Sequence, residues 1–101
     1  MAQPSASERR SRIESLLRER LAAQYVEVID ESGLHVGHAG AAGGAGHFRA
    51  LVVSPRFEGK SLVERQRLVY GALAEMLSAE IHALAMQTLT PEQWKAGAAR
   101  V

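Results

Sequence analysis

Cysteine is absent from this chain of 101 residues, and its absence excludes several kinds of function. Without thiols the protein can form no disulfide, present no thiolate nucleophile and hold no zinc or iron–sulfur group by its own cysteines. Soft-metal chemistry therefore needs histidine ligands, or thiolates that another molecule supplies. The sequence contains four histidines, which are His35, His38, His47 and His82.

The chain also has few aromatic residues, a small net charge and no long apolar run. Aromatic residues make up 5% of the chain, so the core must be built mainly from Leu, Val, Ile and Ala. The formal net charge of +1 is too small to indicate nucleic-acid binding from bulk electrostatics. No apolar run reaches the roughly 20 residues that span a bilayer, and residues 1–12 lack the apolar segment of a signal peptide. We therefore expect a cytoplasmic protein with no membrane partner.

The hydrophobic pattern predicts one domain over residues 1–101, with residues 1–7 and 96–101 fraying at its ends. A period of 3.6 predicts helices, and runs of β-branched residues predict strands. The predicted helices are residues 7–23, residues 61–78 and a short helix that begins near Thr90, and the predicted strands are residues 25–30, 47–54 and 81–88. Capping boxes at Ser61 and Thr90 mark the starts of the second and third helices. The order α-β-β-α-β-α predicts an α/β (α+β) fold with a three-stranded mixed sheet and helices on one face.

No residue pattern typical of an active site is present. No serine lies in a nucleophile elbow, and no phosphate-binding loop with Lys and Ser/Thr occurs. Asp30 and Glu31 are neighbours, so on a strand their side chains point to opposite faces and cannot act as a pair. We therefore do not expect an enzyme.

The four histidines are the residues most able to carry chemistry. His35 and His38 lie three residues apart in a glycine-rich loop, where they are either solvated or metal ligands. His47 opens a strand and is predicted to be structural, closing the loop through a hydrogen bond. Strand alternation predicts that His82 lies on the face opposite Ile81 and Ala83. It is either a half-exposed strand residue or a ligand held on a rigid element.

Several segments resemble the BolA family and occur in the order found in that family. They are residues 30–32 with His35 and the glycine-rich loop, His47–Phe48, Val53–Gly59, Glu64–Tyr70, Ile81–Leu84, Thr90–Pro91 and Trp94. The resemblance extends over about residues 10–95 and is most specific at Ile81–Leu84, which reads I-H-A-L. It implies a fold similar to the class II KH domain.

The same resemblance implies a cofactor and a partner. BolA-like proteins pair with monothiol glutaredoxins and share a bridged 2Fe–2S cluster, for which the glutaredoxin cysteine and glutathione supply thiolates. By resemblance, His82 is the strand ligand and His35 the loop ligand, with His38 competing for the second role. Imidazoles replace thiolates on one iron of Rieske clusters, so this ligand set is chemically coherent. The resemblance implies a role in iron–sulfur trafficking or iron and redox regulation, with no cofactor on the isolated chain.

An alternative implied by the resemblance is a DNA-binding transcriptional regulator of stress response or morphology. Its support in the sequence is a set of basic residues near the central helix, namely Arg56, Lys60, Arg65 and Arg67. A solvated helix face explains these residues equally well, and no aromatic platform for base stacking accompanies them. An exposed sheet edge or the uncovered sheet face can also support a weak homodimer.

Overall fold

The computed structural model of the chain describes residues 6–31, 46–77 and 79–97. Within these residues, the helices and strands follow the predicted order α-β-β-α-β-α. They are α1 (Ala6–Leu21), β1 (Tyr25–Asp30), β2 (Gly46–Val53), α2 (Leu62–Ala72), β3 (Ile81–Leu89) and α3 (Pro91–Lys95), with 3-10 turns at Pro55–Phe57 and Ala74–Met76. The predicted fold class is confirmed.

The three strands form one mixed sheet in the order β1-β2-β3. β1 and β2 are antiparallel, with Tyr25 opposite Val53 and Asp30 opposite Phe48. β2 and β3 are parallel, because the chain crosses back through α2 before it enters β3. Parallel pairing brings the first residues of β2 and β3 side by side at the end of the sheet where residues 32–45 connect β1 to β2.

The two long helices bury one face of the sheet. Alternate strand residues such as Val28, Phe48 and Val52 are buried there, and they pack with Leu17 of α1 and Val69 of α2 in a single core. The residues between them in sequence point to the opposite face, which we call the outer face. This division into a core face and an outer face determines where the site residues lie.

α2 ends six residues earlier than the sequence pattern predicts. The predicted helix runs to residue 78, but the observed helix stops at Ala72 and continues as the 3-10 turn Ala74–Met76. Leu73 and Met76 are nevertheless fully buried. A 3-10 turn places residues i and i+3 on one side, so the apolar spacing persists after the α-helix has ended.

Both predicted capping boxes are present. The backbone amide of Ser61 donates to the Glu64 carboxylate at 2.8 Å, and the Ser61 hydroxyl accepts from the Glu64 amide at 3.2 Å. The Thr90 hydroxyl and the Gln93 side chain make the equivalent pair at the start of α3. Hydrogen bonding by the Ser61 amide lowers the pKa of the Glu64 carboxyl from its usual value.

The Glu64 cap is expected to make stability depend on pH in mild acid. Because the folded-state pKa lies below the unfolded value of 4.5, the stabilisation is complete above that value and is lost as the pH falls through the folded pKa. Glu64→Gln keeps a side-chain acceptor but does not titrate. We expect its melting temperature to fall less than that of the wild type between about pH 5 and pH 3 in scanning calorimetry. An equal fall in melting temperature in the wild type and in Glu64→Gln would show that titration of Glu64 does not cause the pH dependence.

Candidate functional site

β3 contains a bulge at the loop end of the sheet. Gly46 pairs with Ile81 and His47 pairs with Ala83, so His82 is an additional residue without a register partner on β2. His82 and Ala83 are both exposed, whereas Ile81 is buried. The predicted strict alternation is therefore wrong at Ala83, because the bulge turns two successive side chains toward solvent. Bulges often direct a side chain beside a functional site.

The bulge brings two histidine rings together. His47 precedes the buried Phe48, so its side chain lies on the outer face of β2. The ring centroids of His47 and His82 are 4.9 Å apart, and the ring planes are tilted by 48°. The two imidazoles come from adjacent strands, and the two histidines are 35 positions apart in sequence.

Backbone hydrogen bonds fix the strand ends that carry these histidines. The amide of Glu31 donates to the carbonyl oxygen of His47 at 2.7 Å, and the amide of Gly46 donates to the carbonyl oxygen of Glu80 at 3.0 Å. Arg12 of α1 forms an ion pair with the Glu80 carboxylate at 2.8 Å. The carbonyl of His47 thus joins β2 to the end of β1, while its ring lies beside that of His82. The predicted structural role of the His47 side chain stays a prediction.

The pairing of His47 with His82 is the feature of the site that sequence reasoning missed. A signal for it exists, because Gly46-His47 and Ile81-His82 occupy the same two opening positions of strands that pair in parallel. His35 and His38, the predicted loop ligands, lie outside the described residues. Their roles stay predictions.

The histidine pair brings two imidazoles together but does not complete a metal site. Within residues 6–31, 46–77 and 79–97, no three side chains from His, Cys, Asp and Glu are grouped closely enough to hold a metal ion. Imidazole is a suitable ligand for iron, zinc and copper, which commonly take four or more donors. The donor set therefore fits a metal group whose other ligands come from elsewhere.

Comparison with known proteins places the chain in a family. The family profile described as BolA-like protein matches residues 17–93. The chain belongs to the BolA family. It is 49% identical to human BolA-like protein 1 over 83 residues, which is 82% of this chain but 58% of the human protein. It therefore spans little more than half the length of that relative.

Other BolA-family members agree in sequence and in structure. The chain is 42% identical over 86 residues to the Escherichia coli protein named DNA-binding transcriptional regulator BolA, covering 85% of this chain and 79% of that protein. The solution structure of mouse BolA1 matches with a TM-score of 0.76 and 40% identity, covering 97% of this chain and 77% of the mouse chain. None of the helices in the described residues is long and apolar enough to span a membrane.

The four basic residues that were predicted to bind DNA in this BolA-family chain differ in their contacts with the rest of the domain. Arg65 donates to the carbonyl oxygens of Lys60 and Thr88 at 3.0 and 3.1 Å and to the Gln93 side chain at 2.9 Å. Its guanidinium also lies 5.9 Å from the ring centroid of Phe57. Arg65 therefore joins α2, β3 and α3. The other three predicted residues, Arg56, Lys60 and Arg67, are exposed.

Proposed function

We propose that this chain is a non-enzymatic adaptor that pairs with a monothiol glutaredoxin and co-ligates a bridged 2Fe–2S cluster through histidines. The observation that carries the proposal is the pair of imidazoles at the bulge, with ring centroids 4.9 Å apart. The adaptor would act in iron–sulfur trafficking or in iron and redox regulation. The glutaredoxin cysteine and glutathione supply the thiolates that this cysteine-free chain lacks.

His82 is the first ligand of the proposed site. Its backbone belongs to a strand that pairs with β2 along its length, so the imidazole is held on a rigid element. Three histidines compete for the second position. His35 and His38 are the loop residues that the family resemblance implies, and His47 joins them because its ring already lies beside His82.

Histidine ligands are compatible with a 2Fe–2S cluster that two proteins share and that can be transferred to another protein. A cluster held partly by neutral imidazoles carries a less negative ligand set than one held by four thiolates, which raises its reduction potential. This chain's own residues bind and orient the group, and they contribute no thiol that could retain it after the partner leaves. The whole sequence contains no cysteine, and iron–sulfur clusters in proteins are held mainly by cysteine thiolates. We therefore expect the isolated chain to hold no cluster.

Anaerobic reconstitution with a monothiol glutaredoxin and glutathione tests the proposal. Visible absorption and circular dichroism are recorded for glutaredoxin alone and for glutaredoxin mixed with this chain. A new spectrum in the mixture is expected, because imidazole ligands change the electronic transitions of the cluster. A spectrum identical to that of glutaredoxin alone at every mixing ratio would refute the adaptor function.

DNA binding is the second candidate, and two observations favour it. The Escherichia coli relative bears the name of a DNA-binding transcriptional regulator. In this chain, Arg56, Lys60 and Arg67 are exposed near the start of α2, where they can reach phosphates. A regulator of this kind would use the cationic surface beside α2 and would not need the histidine pair.

The combined change Arg56→Ala and Arg67→Ala tests this second candidate. If the surface beside α2 binds DNA, the slope of log K against log salt for a duplex should decrease by about 2, because two phosphate contacts are lost. The matched control is Arg10→Ala with Arg18→Ala, which removes two exposed charges from α1. If the two double variants reduced the salt dependence of DNA binding equally, the effect would reflect net charge alone. The surface beside α2 would then not be a specific DNA-binding surface.

A further inference from the structure

The outer face of the sheet is arranged in rows that the strand register defines. One row contains Ile29, Arg49 and Ala85, and the next contains Glu27, Leu51 and Gln87. Successive rows on one face of a strand are about 7 Å apart. A shallow open groove lies at these residues.

Among residues 6–31, 46–77 and 79–97, those of α3 cover one end of the outer face. Trp94 of α3 stacks on Tyr25 with ring centroids 5.0 Å apart, and Val53 and Leu89 in the same row are buried. The opposite end of the face is the histidine pair, since His47 occupies the next position along β2 before Arg49. Between the site and α3, no other residue of the described part of the chain covers the two rows of side chains.

The open rows have the mixed composition of a surface that binds another protein. Ile29 is 46% exposed, Ala85 is exposed, and Leu51 is half-buried. The Arg49 guanidinium, in the middle of the sheet, lies 3.0 Å from the Glu31 carboxylate and remains accessible. Apolar side chains around an arginine, with a polar rim, are typical of non-obligate protein interfaces.

We propose that the outer face is the docking surface for the protein that brings the thiolate ligands. This inference rests on the proposed adaptor function. His47 lies on the outer face and the ring of the proposed ligand His82 lies beside it, so a metal group bound to His82 also lies on that side. The chain has no thiol, so a second protein must approach from the same side. Because the open rows begin about 7 Å from the histidines, a globular partner centred on the site covers them.

The opposite side of the domain offers a matched comparison. Val63 of α2 is 55% exposed and, like Ile29, is β-branched and apolar. The changes Ile29→Lys and Val63→Lys add the same charge to similarly exposed positions on the two sides of the domain. Ile29 lies on an edge strand, where lysine is well tolerated, so neither change should prevent folding. Ala85→Lys provides a second outer-face variant on another strand.

The test measures the affinity of a monothiol glutaredoxin, loaded with cluster and glutathione, for each variant. Ile29→Lys and Ala85→Lys are each expected to weaken the complex by about tenfold or more, as changes at interface centres do. Val63→Lys should leave the affinity within about twofold, as expected for a residue outside the interface. Unchanged affinity of both outer-face variants would overturn the docking surface.

The outcomes separate this inference from the function on which it rests. If the wild type forms no complex and no mixed spectrum, the adaptor function fails and the docking surface fails with it. If the mixed spectrum forms and the outer-face variants bind normally, the function stands and only the docking surface fails. If the wild type alone sediments as a dimer that Ile29→Lys dissociates, without loss of glutaredoxin affinity, the occupant is a second copy and the inference is wrong.

Discussion

Replacing His82 with alanine should abolish the mixed cluster spectrum formed with a monothiol glutaredoxin while leaving the fold intact. The His82 side chain is exposed at a bulge and contributes nothing to the buried core. Substitution at such a surface position usually changes the free energy of unfolding by less than about 0.5 kcal/mol. The expected effect on the cluster spectrum is much larger, because the change removes the imidazole that we propose as the first ligand of the cluster.

Single alanine variants of the other three histidines identify the second ligand and serve as controls. Only one of His35→Ala, His38→Ala and His47→Ala should reproduce the effect of His82→Ala on visible circular dichroism. The remaining two should give the wild-type spectrum and show that general loss of imidazole is not the cause. A wild-type spectrum from folded His82→Ala would mean that this histidine is not a ligand.

Replacing Arg65 with alanine should lower the free energy of unfolding by about 2 kcal/mol, as loss of hydrogen bonds to a charged group does. The change removes hydrogen bonds to the Lys60 carbonyl, the Thr88 carbonyl and the Gln93 side chain. Thr88 is buried, so its carbonyl oxygen loses a partner without gaining full access to water. Urea unfolding can be followed by the fluorescence of Trp94, the single tryptophan, which lies at the α3 end of the sheet.

Arg67 is the matched control for Arg65. It lies two residues further along α2 and is exposed. Arg67→Ala should therefore leave the free energy of unfolding within about 0.5 kcal/mol of the wild type. Equal destabilisation by the two variants would contradict the assigned role of Arg65. Arg65→Ala also removes the hydrogen bonds that connect α2 to β3 and α3. Weaker DNA binding by this variant would therefore not show that Arg65 contacts a phosphate.

Much of the fold is predictable from the sequence because its signals are local. The alternation around Val26 and Val28 places β1, and the capping boxes at Ser61 and Thr90 fix the starts of two helices within a residue. Each signal arises within one turn or one strand, where backbone sterics and hydrogen-bond satisfaction decide the outcome. The early end of α2 escaped prediction because the 3-10 turn at Ala74–Met76 keeps the same apolar spacing.

The candidate site is less predictable because it depends on register. Whether His47 lies beside His82 depends on the pairing of β2 with β3 and on one additional residue at the bulge. Neither property changes the local pattern of apolar residues. Arg65 illustrates the same limit, since its sequence context resembles that of Arg67 and only tertiary contacts separate a structural arginine from a solvated one.

The most direct test of the central claim is pulsed electron paramagnetic resonance on the reduced mixed cluster. This chain is labelled with ¹⁵N-histidine, and glutaredoxin and glutathione are left unlabelled, so any ¹⁵N coupling must come from its imidazoles. We predict strong ¹⁵N couplings typical of iron-bound histidine, and we expect none when His82→Ala replaces the wild type, because no mixed cluster then forms. A spectrum without ¹⁵N coupling, equal to that of glutaredoxin with its own cluster, would contradict the account.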